Sequence, residues 1–478
     1  MGVDISKLHF SKSDVSLFNE KIRDETKLIN DWFCKKQFSN KVGTGGFELE
    51  SWLVDSRCRP VPANVEFIEE LDDPMIVPEL AKYNFELNSK PFSIKGDGLL
   101  HLKKDLRNKW KKAEEQAKKM NLRLMMIGIL PTIQEGQLNM ENISPSNRYY
   151  ALNERLMNMR KKVPIQLDIK GKDHLKLEHN DVILEAAATS LQIHLQIDQD
   201  QGTSFYNASK VASAPLVAIS ANSPFLFGKE LWEESRIPLF EQSISLAEKD
   251  YAERVTFGIR YLDRSLMEYF DANRQRYLPI LPLIYKDQSP EKLKHLCLHN
   301  GTIWRWNRVI IGPPTQSNPP NLRIEQRVAP AGPSLEDSIA NSAFYYGLVC
   351  YLAKNYRESQ ELINFYQARD NFYEAARYGL AADIVWHNDQ VIILEKLIKD
   401  SLLDMAKEGL SILEVADEVS KHYLSVIEER LLSGQTGAAW QRQYKAKHKC
   451  SFEELSCAYY DLQQTELPVH QWPLTARH

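Results

Sequence analysis

Several large protein classes are excluded by what this chain of 478 residues lacks. Its six cysteines, Cys34, Cys58, Cys297, Cys350, Cys450 and Cys457, lie far apart and never form a Cys-x-x-Cys pair. That spacing speaks against a disulfide framework or a thiolate zinc site and fits a reducing compartment. No apolar run approaches the ~20 residues of a membrane span, and the N-terminal residues show no signal-peptide pattern, so a cytoplasmic location is expected. There is no Gly-x-x-x-x-Gly-Lys loop, which argues against a P-loop nucleotide site. Positive charge is not in excess either: a net charge of −4 offers no footprint for nucleic acid.

What is present is ordinary globular material, 43% hydrophobic and 26% charged. The length suits one large domain or two to three ordinary ones, at roughly 100–200 residues each. Val15, Phe18, Ile22, Ile29 and Trp32 recur near helical spacing and predict an amphipathic helix over 14–38, with Ser13 and Asp14 as caps. Further helices are predicted over 98–120, 147–161, 203–220 and 229–247. Strands are predicted over 46–54, 83–88, 122–129, 191–197, 303–311 and 321–328. This is an α+β pattern. After Pro333, Ser334-Leu335-Glu336-Asp337 opens a helix, and the chain reads as helical to about residue 465. The basic run from Lys103 to Lys112 is followed by Glu114 and Glu115 in the same helix and reads as a solvated face.

Four strands carry chemistry. In Phe47-Glu48-Leu49-Glu50, the alternation of a strand puts both glutamates on one face, opposite Phe47 and Leu49. Paired carboxylates repel unless a cation sits between them, and such an oxygen-rich pair suits Mg²⁺ or Mn²⁺; the alternative is a solvated strand face. Tyr83 to Asn88 repeats the design with Asn84, Glu86 and Asn88 on the polar face. Glu79 stands an odd number of residues before Glu86, so it joins that face only through a bend near Pro78 or from a neighbouring segment. Gln192, His194 and Gln196 share one face of an otherwise aliphatic strand. Arg323, Glu325 and Arg327 share another, either as a surface ion-pair ladder or as a carboxylate for a divalent ion beside a guanidinium for a transferring phosphoryl group. Paired in one antiparallel sheet, the four strands would make a single polar surface over a buried core.

These segments resemble the glutamate–cysteine ligase type 2 family of carboxylate–amine ligases. The resemblance rests on Gly46-Phe47-Glu48-Leu49-Glu50, Glu86-Leu87-Asn88-Ser89, Arg148-Tyr149, Asn222-Ser223-Pro224-Phe225, Arg323-Ile324-Glu325-Gln326-Arg327, and Asn371 leading to Ala375-Ala376-Arg377-Tyr378-Gly379-Leu380. It runs in order from about residue 43 to 385. It implies a glutamine-synthetase-like curved antiparallel sheet forming a funnel for ATP and two or three Mg²⁺ or Mn²⁺ ions, flanked by helices; the helical pattern after Pro333 adds a helical C-terminal appendage. The implied division is an N-terminal helical segment at 1–42, the catalytic domain at 43–394 and a helical region at 395–478 that does not match the family.

By the same resemblance, Glu48, Glu50, Glu79, Glu86 and Glu325 would hold metal, and Glu325 and Arg327 would be catalytic. His194, Arg308 and Arg327 would contact phosphate, and Asn88 and Arg148 the substrate. The substrates would be a small carboxylate, glutamate by preference, and an amine, joined through an acyl phosphate, with a homo-oligomer allowed. One departure is Gln192, where the family commonly has the first histidine of His-x-His. The rival readings are another phosphoryl transfer on the same fold and a non-catalytic nucleotide-binding or scaffolding protein.

Overall fold

The computed structural model describes residues 4–246, 253–286, 288–356 and 361–475. In chain order the elements begin with α1 (Lys12–Cys34), β1 (Thr44–Val54), α2 (Asn64–Leu71), β2 (Ile76–Pro78), β3 (Asn84–Asn88), β4 (Phe92–Ser93), α3 (Gly98–Lys119) and β5 (Arg123–Met125). There follow α4 (Asn147–Met159), the hairpin β6 (Ile165–Lys170) and β7 (His174–His179), β8 (Leu191–Ile197), α5 (Gly202–Val211), α6 (Ser213–Ser220), β9 (Phe225–Leu226), β10 (Lys229–Glu230) and α7 (Arg236–Ser243). Next come α8 (Met267–Arg276), α9 (Lys294–Asn300), β11 (Asn307–Gly312), β12 (Asn321–Gln326), α10 (Leu335–Asn355) and α11 (Phe365–Tyr378). A hairpin of β13 (Asp383–Trp386) and β14 (Gln390–Ile393) precedes α12 (Leu394–Leu397), α13 (Leu403–Ile412), α14 (Asp417–Ser433), α15 (Gly437–His448) and α16 (Phe452–Gln463).

The four chemistry-bearing strands do share one sheet. Its order is β11-β12-β8-β1-β3-β2, antiparallel throughout, with β4 and β5 added at the two ends of β1. The alternation read in the sequence is realised: Phe47, Leu49, Phe85, Leu87, Ile193, Leu195, Leu322 and Ile324 are all buried. On that apolar side lies α10, buried along almost its whole length among α3, α5, α13 and α14. Its N-cap is Ser334, whose hydroxyl accepts the Asp337 backbone N–H. The Tyr346 hydroxyl donates toward the backbone carbonyls of Gly46 and His194, tying α10 to β1 and β8. Close approach of α13 requires glycine: a Cβ on Gly409 would stand 1.8 Å from the Gly347 carbonyl oxygen.

Several boundaries differ from the sequence expectation. The first helix starts at Lys12 because Ser11 and Asp14 form a capping box, and it stops at Cys34. The predicted 203–220 helix is two helices meeting at Ala212, and the predicted 229–247 helix is helical only from Arg236 among the described residues. The stretch 383–393, expected as helix, is a hairpin. The C-terminal helices do not hang free: the Tyr459 hydroxyl on α16 donates to the Met126 carbonyl, and Gln463 accepts the Met126 N–H. At the other end of the chain, buried Glu25 on α1 braces α9, accepting the Leu296 N–H at 2.7 Å and pairing with His295 Nδ1 at 2.6 Å.

Candidate active site

The polar face of the sheet is the floor of a cavity of about 430 Å³, walled by residues of α4, α7, α8 and α9. Register explains what meets there. Glu50 and Glu86 are direct cross-strand partners, while Glu48 faces Asn88 on β3 and Gln192 on β8. One row along, His194 lies between Gly46 and Glu325, and Arg308 faces Glu325 from β11. Glu79 arrives from the neighbouring segment: β2 pairs back on β3, and the residue just after Pro78 reaches the cavity.

The carboxylates form two groups. Glu50, Glu79 and Glu86 each offer an oxygen within 4.8 Å of the others, and so do the ligand atoms of Glu48, His194 and Glu325. Their electrostatics differ. Burial opposes ionisation of Glu325, but the guanidiniums of Arg308 and Arg327, each 2.7 Å away, hold its carboxyl down to about 2. Burial likewise opposes ionisation of Glu48, and the adjacent His194 ring outweighs it, so that this carboxyl lies below the usual range. In the other group the opposing pulls are too weak to offset burial. Burial and the charge of Glu48 push Glu86 up to about 8, and burial with the charges of Glu86, Glu50 and Glu185 pushes Glu79 well above its ordinary value. Burial raises Glu50 too, against the pull of Arg327. Desolvated carboxylates in mutual repulsion fit a divalent cation, and an all-oxygen set fits Mg²⁺ or Mn²⁺.

The basic end lies on β11 and β12. Arg323 Nε donates to His194 Nδ1 at 3.2 Å, which places the ring proton on Nε2, 3.3 Å from Glu48. His194 Nε2 is buried with no hydrogen-bond partner among the described residues, at the edge of the Glu48–Glu325 group. Arg327 is beyond the last paired residue of β12, and its Nη1 donates to both Glu325 and Gln192. Arg308 and Arg327 both line the cavity, and the Nε of each is buried without a hydrogen-bond partner among the described residues. Arg148 lines the cavity from α4, and its side chain has no hydrogen bond among the described residues. Asn88 is beside the cavity, not among the residues lining it: its amide donates to Glu86 at 2.9 Å.

Sequence reasoning missed two charged residues of the cavity. Glu185 lies in the turn Val182–Ala187 just before β8, where burial and the charge of Glu50 raise its carboxyl to about 8. Such a turn has no alternation to single it out; its place immediately before a chemistry-bearing strand was the one available signal. Lys294, at the start of α9, stands at the cavity wall on a helix too short to show a period.

A family model for glutamate-cysteine ligase family 2 matches residues 44–458. The match runs through β13, β14 and most of the C-terminal helices, beyond the point where the motif resemblance stops. No curated protein matches the chain at a significant level. Among solved structures, a glutamate–cysteine ligase from Francisella tularensis in complex with AMP is similar at 12% identity, over 92% of this chain and 91% of that one, with a TM-score of 0.59. A bifunctional glutathione synthetase from Pasteurella multocida is also 12% identical, over 92% of this chain, with a TM-score of 0.54. This chain covers 54% of that longer protein. The shared fold is the glutamine-synthetase-like arrangement of a curved antiparallel sheet with flanking helices.

Proposed function

The chain belongs to glutamate-cysteine ligase family 2, a family of ATP-dependent carboxylate–amine ligases, and from that premise we propose that it forms a γ-glutamyl-type amide through an acyl phosphate. The observation that carries this reading is the charge gradient across one cavity floor, from Glu79, Glu86 and Glu50 at one end to Arg308, Arg323 and Arg327 at the other. The order suits a polyphosphate lying across the sheet with its charge offset from both sides.

Glu48, Glu50, Glu79, Glu86 and Glu325 would hold Mg²⁺ or Mn²⁺, which supplies charge compensation for the β- and γ-phosphates of ATP when bound. Arg327 and Arg308 face the transferring phosphoryl group and stabilise its developing charge. Glu325, between the two guanidiniums, sets their positions. The substrate carboxylate attacks the γ-phosphorus, ADP leaves, and an amine then displaces phosphate from the acyl carbon. Arg148 takes a substrate carboxylate, because a guanidinium on the cavity wall with no acceptor among the described residues is matched by an acid that carries a second carboxylate, as glutamate does.

Purified protein with ATP, Mg²⁺ or Mn²⁺ and a panel of amino acids is expected to release ADP, and hydroxylamine is expected to trap the acyl phosphate as a hydroxamate. The panel identifies the acid and the amine. If no carboxylate elicits ADP and Glu325→Ala behaves as wild type, the ligase reading fails.

A further inference from the structure

Gln192 stands on the central strand β8, is 2% exposed, and has every polar atom of its side chain committed. Its Nε2 donates to Glu50 Oε1 at 3.0 Å, and its Oε1 accepts from Arg327 Nη1. Both partners are fixed on their far sides as well. The Ser190 N–H donates to Glu50 Oε2 at 2.6 Å, and Arg327 Nη1 also donates to Glu325 Oε1 at 2.7 Å. Arg236 Nη2 in addition donates to the Arg327 backbone carbonyl at 3.0 Å.

An amide is the group suited to this place. It carries a donor and an acceptor on one planar head, and the neighbours allow a single orientation, since a flipped amide would set N–H against guanidinium and oxygen against carboxylate. It is also neutral, which matters where Glu48 is its cross-strand partner and Glu50 its hydrogen-bond partner. The guanidinium against the amide oxygen places positive charge beside the point where a cation ligated by that oxygen would sit.

We infer that Gln192 is not a metal ligand but a positioning residue, a neutral strut that fixes Arg327 and Glu50 relative to each other across the centre of the site. The inference rests on the proposed role of Arg327 at the transferring phosphoryl group. It separates the site into an acidic end that holds cations and a basic end that holds phosphate, with one uncharged side chain setting the distance between them.

The test is Gln192→Met, which roughly keeps the volume and removes both hydrogen bonds. Because Arg327 acts chiefly in the transition state, kcat for ADP release is expected to fall about 10–100-fold while KM for the amine stays within about twofold. Mn²⁺ binding without nucleotide, followed by electron paramagnetic resonance, is expected to keep the wild-type stoichiometry, with Kd weakened by no more than the roughly 10–100-fold that loss of a hydrogen-bond partner of the ligand Glu50 costs. In an Arg327→Lys background the same substitution is expected to cost less than about threefold more, because the two residues act as a unit.

Loss of a bound Mn²⁺ from the stoichiometry, or a full multiplicative loss on top of Arg327→Lys, would overturn the inference. Should Gln192→Met fail to fold, Gln192→Asn keeps the amide but shortens its reach and supports the same three comparisons. A wild-type protein that releases no ADP would defeat the ligase reading, while the Mn²⁺ arm would still decide whether Gln192 ligates.

Discussion

Glu325 is fully buried and is the acceptor for two guanidiniums, Arg308 and Arg327. Its removal leaves buried Arg327 and half-buried Arg308 facing each other with no carboxylate between them. Glu325→Ala is therefore expected to cost about 3–5 kcal/mol of stability, read as a fall in the denaturant midpoint. ADP release is expected to fall by at least about 100-fold. A second prediction concerns protons. Glu86 and Glu185, both raised from an ordinary value of 4.5 to about 8, bind more protons folded than unfolded when no metal is present. For an acid with a raised folded pKa, stability is greatest at low pH and declines as pH rises from about 4.5 through about 8. The Tm of metal-free protein is thus expected to drop between pH 6 and pH 8, and Mg²⁺ or Mn²⁺ is expected to raise Tm more at pH 8 than at pH 6. Equal rises at both values would mean that the ions bind elsewhere.

At the scale of elements, the crossing of α10 and α13 depends on bare backbone. A Cβ on Gly347 would be 2.1 Å from the Ala406 carbonyl oxygen, so neither helix can accommodate a methyl group without sliding. Gly409→Ala is expected to destabilise by about 1–3 kcal/mol as an overpacked contact. It is also expected to lower activity, because α10 holds the backbone of Gly46 and His194 through Tyr346. Gly136→Ala, where an added methyl meets nothing within 4 Å, is the control, and thermal melts beside ADP-release assays read both.

The same scale shows what was legible. β1, β3, β8 and β12 each bury one face and put charged or amide groups on the other, so period-2 alternation exposed both the strands and the candidate site. The hairpin at 383–393 was hidden because Ile384, Val385 and Trp386, then Val391, Ile392 and Ile393, form short apolar runs that fit either period. The β6–β7 hairpin alternates, with Ile165, Leu167 and Ile169 buried, but its charged half is spread among Lys and Asp that also suit a loop. Which strands pair was not readable from any segment alone, and pairing is what brings Glu325 to His194 and Arg308.

Across the whole molecule the C-terminal helices share the core of the sheet domain. Trp440, Tyr459 and Trp472 stack edge to face, and the Tyr459 hydroxyl contacts Asn222 and the Met126 carbonyl far away in sequence. Asp337 on α10 pairs with buried Arg430 on α14 at 2.6 Å. A chain ended at residue 394 would expose that core and strand Asp337. It is expected to lose cooperative thermal unfolding, which calorimetry would detect; a sharp transition in the shortened chain would contradict this.

The brace between Glu25 and α9 has a bearing on how such a protein changes over generations. The family match begins at residue 44, after α1 has ended, yet α1 steadies the helix from which Leu296 and Leu298 face the cavity. Variation in a segment outside the shared block can therefore tilt a wall of the pocket without altering any residue that touches substrate. In chimaeras built from this chain and its relatives, residues 12–34 and 294–300 form one inheritable unit, and exchanging either alone separates the wall from its support.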